Sequence, residues 1–288
     1  MLSIFFALIS YLGWGVGDIF ATIASRKIGG YSVVVWSHIF AGIMLALFIP
    51  FEVQQLQNIT VTVALLSVAI VIIALIGDTS FNLGLQKGNA SLVGVIAAAY
   101  PALSVIISTT FLKEDITLFQ IAAIVIIFLG ILMTTLNLKD LRQNAILSDP
   151  GVPFALITFI SWGTYLALIK ITVNQIGWFW PGYFIFLGFP LLLLFMKFRK
   201  IKIQKPTANH ALLVLLLATV LTRVAEFSYN AALRAGGNVS IVSPISGSYP
   251  TLFVVLAFLI FKDKITRQQI AGIITTLMGI VLLSFFSV

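Results

Sequence analysis

Residues 78–101 read DTSFNLGLQKGNASLVGVIAAAYP, and residues 226–250 repeat this stretch as EFSYNAALRAGGNVSIVSPISGSYP. The first parts of the two copies match in register through the pairs Asp78/Glu226, Ser80/Ser228, Phe81/Tyr229, Asn82/Asn230 and Leu85/Leu233. After one inserted residue the match continues through Tyr100/Tyr249, Pro101/Pro250, Lys113/Lys262, Gln120/Gln269 and Gly130/Gly279. A match of this extent predicts that the chain is an internal duplication.

The composition excludes a soluble globular domain. Of the 288 residues, 60% are hydrophobic and only 9% are charged, and the mean hydropathy is +1.12. Such a chain cannot form a wettable surface around a core, so we expect a polytopic membrane protein. The sequence has no Cys, which excludes disulfides and thiolate chemistry.

Ten apolar runs are long enough to cross ~30 Å of hydrocarbon as helices. We expect an all-α integral membrane fold with transmembrane spans at residues 4–25, 33–50, 62–85, 90–112, 117–136, 153–173, 179–196, 210–233, 240–261 and 266–286. The first five-helix repeat is expected at residues 1–136, a connecting loop at 137–152 and the second repeat at 153–288. Because five is an odd number, the second repeat enters the membrane from the opposite side, and the repeats are inverted.

Lys and Arg residues are concentrated at one end of the expected bundle. That end carries Arg26, Lys27 and the group Lys197, Arg199, Lys200, Lys202 and Lys205, whereas the other end has only Lys113, Lys170 and Arg234. The positive-inside bias therefore predicts that the basic end is cytoplasmic and that both termini are outside.

Several short motifs resemble the EamA branch of the drug/metabolite transporter superfamily. They are Gly13-Trp14-Gly15 with its echo Ser161-Trp162-Gly163, the two Tyr-Pro pairs, and the segments 111–115 (FLKED) and 261–264 (FKDK). The resemblance covers essentially the whole chain and implies a ten-span secondary transporter of two EamA-like repeats. It also implies a location in the plasma membrane, which in a prokaryote is the inner membrane. It also implies export of amino acids, other metabolites or drugs. Organelle relatives of the superfamily place both termini in the cytosol, which is opposite to the orientation that the charge bias predicts.

Ionisable residues within spans are costly and default to functional roles. Four are expected: Asp18, Asp78, Arg223 and Glu226. Asp78 and Asn82 share one helix face, and Arg223, Glu226 and Asn230 share the corresponding face of the eighth span. At a rise of ~1.5 Å per residue, Asp78 and Glu226 lie near the bilayer midplane, where inverted-repeat carriers hold their substrates.

Arg223 breaks the symmetry, because its counterpart in the first repeat is Leu75. Three interpretations remain open. Arg223 forms a structural ion pair with Glu226, or it binds an anionic group of the substrate, or Asp78 or Glu226 is a proton-coupling site.

Aromatic residues recur at similar positions in the first and sixth spans. Trp14, Trp162 and Tyr165, together with Tyr100 and Tyr249, are expected to form an amphipathic wall for a substrate, although Trp near span ends also serves as an interfacial anchor. The full set of expected substrate-binding residues is Trp14, Asp18, Asp78, Asn82, Tyr100, Trp162, Tyr165, Arg223, Glu226, Asn230 and Tyr249.

Pro101 and Pro250 each follow a Tyr within a span, which favours a hinge, with static packing of curved helices as the alternative. His38 is expected to pack within the second span rather than to relay protons. With only two His in the chain, no metal site is expected.

The sequence therefore predicts a secondary transporter that moves a small amino acid or related metabolite by alternating access between the repeats. Exporters of uncharged aromatic or drug-like compounds, and a channel-like facilitator, are the alternatives. An enzyme is not expected, because motifs such as His-Glu-x-x-His and Gly-x-Ser-x-Gly do not occur. No cofactor or nucleic-acid partner is expected; the partners are a small molecule, the lipid bilayer and, in one interpretation, protons. The oligomeric state stays open, and a monomer is compatible with the sequence.

Overall fold

The protein is described by a computed structural model that covers residues 1–135, 149–206, 209–261 and 266–287. Within these residues the fold is all-α, and ten helical segments are long and apolar enough to cross a membrane. This confirms the expected fold class. Most of the connecting loop, residues 137–148, and the basic residues Lys139, Arg142, Lys262 and Lys264 lie outside the described ranges.

Five spans form the first repeat. Span 1 is Leu2–Ile28, span 2 is Gly30–Leu45 with short helical turns up to Asn58, span 3 is Val61–Lys87, span 4 consists of Ala90–Ala97 and Tyr100–Thr110, and span 5 is Leu118–Thr135. In the second repeat, span 6 is Val152–Ile176, span 7 consists of Phe179–Leu187 and Phe189–Phe198, span 8 is Asn209–Arg234, span 9 consists of Val239–Ser246 and Pro250–Phe261, and span 10 is Arg267–Phe285.

The span directions define two ends of the bundle. We call the end with Leu2 and Phe285 the terminal end, and the end where span 1 passes into span 2 the basic end. Gly29 and Gly177, with φ of 81° and 77°, occupy corresponding positions after spans 1 and 6. Their left-handed backbone allows the abrupt turn into the next span, since residues with a Cβ rarely adopt it.

Two close helix pairs cross the boundary between the repeats. Span 1 packs on span 8, where a Cβ added at Gly13 would lie 2.8 Å from Cβ of Ala225. The symmetry-related pair is span 3 with span 6, where a Cβ added at Gly77 would lie 2.7 Å from Cδ1 of Trp162. Small residues allow such close approach of helices in a membrane. The structure therefore consists of interleaved repeats rather than two separate halves.

Spans 4 and 9 are interrupted near their middle. Span 4 breaks before Tyr100 and span 9 breaks before Pro250, so each Tyr-Pro pair lies where a new helix segment begins. A Cβ added at Gly247 would overlap with the Pro101 ring. The two interruptions therefore face each other at the centre of the bundle, and the break positions agree with the effect expected of Pro101 and Pro250.

Candidate functional site

The broken spans border a cavity of about 70 Å³. Side chains from spans 1, 2, 3, 4, 6, 8 and 9 line it. This central cavity brings together all the expected substrate-binding residues except Asn230, namely Trp14, Asp18, Asp78, Asn82, Tyr100, Trp162, Tyr165, Arg223, Glu226 and Tyr249.

An ion pair forms one wall of the cavity. Nη1 of Arg223 donates a hydrogen bond to Oε2 of Glu226 over 2.8 Å, one helical turn apart on span 8. The guanidinium carbon of Arg223 lies 4.5 Å from the ring centroid of Phe186, which adds a cation–π contact. The charge of Glu226 is thus neutralised within its own repeat.

The acid of the first repeat has a different environment. Oδ1 of Asp78 accepts a hydrogen bond from Nε1 of Trp162 over 3.0 Å, and its Oδ2 lies 3.8 Å from Nε2 of His38. Nδ1 of His38 lies 2.9 Å from the carbonyl oxygen of Val34. That carbonyl can only accept, so Nδ1 carries a proton, and in the neutral form of the ring a bare Nε2 faces Asp78. A proton or a ligand donor between them would satisfy both groups.

Some buried polar atoms around the cavity have no hydrogen-bond partner among the described residues. They include Nε2 of His38, Oη of Tyr100, Nε of Arg223 and Oε1 of Glu226. Buried polar atoms in folded proteins are nearly always paired, because an unpaired one costs free energy. Both donors and acceptors are represented, so a ligand with both kinds of group could satisfy them.

Aromatic rings cover the remaining wall of the cavity. The ring centroid of Trp14 lies 6.3 Å from that of Tyr100 and 6.2 Å from that of Tyr249. The ring centroid of Trp162 lies 4.7 Å from that of Phe81 and 5.9 Å from that of Tyr100. Trp14 and Trp162 therefore face the site, as their positions in spans 1 and 6 predict.

The two asparagines of the duplicated stretch lie in different places. Asn82 lines the cavity, and its Oδ1 accepts a hydrogen bond from Oγ of Ser25 over 2.6 Å. Asn230 is fully buried outside the cavity lining, and its Nδ2 donates to the Trp178 carbonyl oxygen over 3.2 Å. The expected binding residues did not include Phe81 or Thr222, and His38 was expected only to pack within span 2, but all three line the cavity. His38 is the one with a recognisable signal, a titratable residue within a span.

A cluster around Glu114 fastens the terminal end. The Glu114 side chain accepts hydrogen bonds from Nζ of Lys170 over 2.7 Å and from the backbone N–H groups of Val239 and Ser240, each over 2.9 Å. Burial raises the pKa of Glu114, but these donors outweigh burial and hold it below its ordinary value of 4.5. An acid of the first repeat therefore binds the first turn of span 9 in the second repeat, where helical N–H groups lack partners.

The space at the centre of the bundle continues towards the basic end. A second cavity of about 60 Å³ shares Asp18, Phe81 and Tyr249 with the central cavity and extends to Leu85 and Thr135. Leu85 and Thr135 lie near the basic ends of spans 3 and 5, so the open space beside Asp18 extends in that direction.

Comparisons with known proteins agree with this architecture. The model of the EamA-like transporter family matches residues 1–136 and 149–285. An uncharacterized protein of Methanocaldococcus jannaschii is 33% identical over 138 residues, which cover 47% of this chain and 97% of that protein. That relative is therefore about as long as one repeat.

A crystal structure of another protein superposes with a TM-score of 0.78 at 12% identity, and the match covers 99% of this chain and 96% of that one. At this identity the likeness concerns the fold alone. The family match over both repeats, together with the ten apolar helices, confirms the expected multi-pass location in the plasma membrane. The chain belongs to the EamA-like transporter family of the drug/metabolite transporter superfamily, and it is a membrane transporter.

Proposed function

We propose that the protein exports a small zwitterionic metabolite of the amino acid class by alternating access, with the central cavity as its binding site. The observation that carries this proposal is the presence of unlike charges on different walls of one buried cavity. Asp18 and Asp78 belong to the first repeat and Arg223 to the second. The export direction rests on the resemblance to exporting members of the family.

The charges of the cavity favour a ligand with an ammonium group. Asp18, Asp78 and Glu226 bring three carboxyl groups, and Arg223 offsets the charge of Glu226. Asp18 and Asp78 would be left as two buried negative charges, which are costly unless a cation or protons compensate them. An ammonium group compensates one of these charges, and a proton, its natural competitor at the same carboxylates, compensates the other.

The other end of a zwitterion would meet Arg223. Its Nη1 already binds Glu226, whereas Nε has no partner among the described residues. Carboxylates bind guanidinium groups strongly because the hydrogen bonds are charge-assisted. A bound carboxylate would thus use a donor that the protein itself does not satisfy.

The size of the cavity favours a small ligand. A water molecule needs ~10–15 Å³ of such volume, so a cavity of about 70 Å³ has room for only a few non-hydrogen atoms. A small amino acid has this size, whereas a large drug-like molecule would require the cavity to widen.

The asymmetry between the two ends supports alternating access. Glu114 closes the terminal end, while the second cavity extends from Asp18 towards the basic end. In inverted-repeat carriers the repeats exchange conformations, which closes one end as the other opens. We expect Pro101 and Pro250 to be the paired hinges. Pro101→Ala should then bias access towards one end of the bundle, and Pro250→Ala should bias it towards the other end.

The aromatic wall supports a second candidate. Trp14, Tyr100, Trp162 and Tyr249 could stack on an uncharged aromatic compound without any need for Arg223. The two candidates differ in their dependence on charge, which makes them separable by mutation.

Uptake into proteoliposomes tests the proposal. We expect labelled small amino acids to accumulate by counterflow, which a channel-like facilitator does not support, and Arg223→Lys to weaken their binding by ~1.5–3 kcal/mol, the worth of a charge-assisted hydrogen bond. Gly42→Ala is the control, because a methyl group there contacts nothing within 4 Å. Counterflow of uncharged aromatic compounds alone, unaffected by Arg223→Lys, would favour the second candidate. A pH gradient imposed in the same assay identifies proton coupling.

A further inference from the structure

A large apolar groove opens from the side of the bundle at the terminal end. It has a volume of about 680 Å³ and lies between spans 1, 2, 7 and 8. Phe6, Met44 and Phe227 contribute to its apolar lining, and Arg223 and Arg234 lie along its length on span 8. We call it the terminal groove.

Inverted symmetry supplies an internal comparison. A second groove of about 330 Å³, the basic groove, is lined by the counterparts of these residues, including Phe154 for Phe6 and Leu192 for Met44. Leu75 occupies the position of Arg223 there, and Gln86, the counterpart of Arg234, does not line it. The duplication thus produced one groove in each leaflet. Among the described lining residues cations occur in the terminal groove, whereas at the basic groove Nζ of Lys87 lies 4.8 Å from the ring centroid of Phe154.

The length of the terminal groove corresponds to one leaflet. At a rise of ~1.5 Å per residue, span 8 extends ~16 Å from Arg223 to Arg234. Half of the hydrocarbon core is ~15 Å thick. An acyl chain that enters beside Arg234 would therefore reach the midplane at Arg223.

Arg234 suits the headgroup of such a lipid. It is exposed in the last turn of span 8, and one of its donors, Nη1, binds the carbonyl oxygen of Asn174 over 3.1 Å. That bond orients the planar guanidinium and leaves its outer N–H groups for a phosphate. A cation at the membrane surface also favours an anionic lipid.

We propose that the terminal groove binds one anionic phospholipid of the leaflet at that end, with its phosphate on Arg234 and one acyl chain along span 8. Arg223 lines both the groove and the central cavity. The acyl chain would therefore cover Arg223, the only charged residue that the described linings of the terminal groove and the central cavity share. It would also seal the central cavity from the bilayer.

Native mass spectrometry of the purified protein tests this proposal without any transport assay. The protein is mixed with equal amounts of phosphatidylglycerol and phosphatidylcholine that carry the same acyl chains. We expect one retained phosphatidylglycerol with a preference of about fivefold, the factor that ~1 kcal/mol per basic residue provides. Arg234→Ala should abolish the preference between headgroups.

A pair of matched variants tests the groove itself. Val224 lines the terminal groove and its counterpart Ile76 lines the basic groove, and each is 48% exposed. Val224→Trp should remove lipid retention by filling the groove, whereas Ile76→Trp should preserve it; circular dichroism verifies that both variants are folded. Equal retention of the two lipids by the wild type, or unchanged retention in both Arg234→Ala and Val224→Trp, would overturn the proposal.

Discussion

Spans 3 and 8 carry the same polar pattern but use it in different ways. On span 3, Asp78 and Asn82 both line the central cavity. On span 8, Glu226 is bound to Arg223, and Asn230 lies outside the cavity against the Trp178 carbonyl. The repeats thus share the sequence positions of the polar groups, whereas one difference between them, Arg223 in place of Leu75, gives these groups a different chemistry.

This difference predicts separate roles for the two repeats. The second repeat neutralises its own acid, while the first leaves Asp78 at 3.8 Å from Nε2 of His38, in a cavity that Asp18 also lines. If the comparison is correct, variants of span 8 should affect mainly folding when the ion pair is broken, and variants of span 3 should affect mainly ligand or proton binding.

The largest effect is expected from breaking the ion pair. Arg223→Leu, which restores the residue type of the first repeat, should cost ~3–5 kcal/mol of stability, because it leaves Glu226 as an uncompensated buried charge. Adding Glu226→Gln should recover most of this loss. Thermal melting in detergent measures both variants.

Transport by the double variant sharpens the interpretation. If Arg223 binds substrate, the double variant should fold and still fail to transport. If folding and transport return together, Arg223 is only the partner of Glu226, and our proposal for the zwitterion carboxylate is wrong.

Asp78→Asn should produce the next largest effect, on binding rather than folding. The carboxamide keeps the shape and can still accept from Trp162, but it loses a charge-assisted contact worth ~1.5–3 kcal/mol. We therefore expect substrate affinity to fall by about 10- to 100-fold, with little change in melting temperature. Calorimetric titration measures the affinity, and Glu226→Asp is the comparison variant on span 8. Equal affinity in wild type and Asp78→Asn would contradict the role of span 3.

The crossing of the broken spans differs between the repeats as well, since Gly247 corresponds to Ala98. Gly247→Ala should destabilise the protein by ~1–3 kcal/mol, because the added methyl group overlaps with the Pro101 ring. Gly94→Ala is the control, since a methyl group there meets nothing within 4 Å. Similar melting temperatures for the two variants would show that the crossing tolerates separation.

The smallest effect concerns the acids that contact the first residues of spans 4 and 9. Asp149 accepts from the backbone N–H of Asn89 at the basic end, as Glu114 does from Val239 and Ser240 at the terminal end. The pKa of Glu114 is lowered by folding, so its stabilisation is present above pH 4.5 and is lost as the pH falls below that value. We expect a loss of ~1 kcal/mol, seen as an acid-dependent decrease of melting temperature that Glu114→Gln abolishes.

Cysteine labelling at neutral pH provides an independent test of the contact between Glu114 and the start of span 9. The chain has no cysteine, so Ser240→Cys introduces a single buried thiol at the start of span 9. Glu114→Gln should accelerate its modification by loosening the terminal end, and Asp149→Asn should leave the rate unchanged. An equal acceleration by both variants would mean that the two ends are not independent.

The sequence predicted features that depend on local pattern and on repetition. The ten spans, the interruptions at Tyr100-Pro101 and Tyr249-Pro250, and the shared location of Asp78 and Arg223 follow from apolar length, proline chemistry and the duplicated order. Features that depend on the rotation of a helix against distant neighbours were not predictable. Examples are the buried position of Asn230 against span 7, outside the cavity lining, and the position of His38 in that lining, because the packing of spans 7 and 2 decides them.

Because span 1 packs against span 8, the central cavity can assemble only after span 8 has been synthesised. Asp18 and Arg223 line the same cavity but are separated by most of the chain. At ~5–20 residues per second, a ribosome needs roughly 10–40 s to make the residues between them. During that interval the first repeat holds Asp18 and Asp78 in the membrane without span 8, which forms one wall of the cavity around them. Nascent chains should therefore depend on lipid, water or a membrane chaperone to shield these acids until span 8 is inserted.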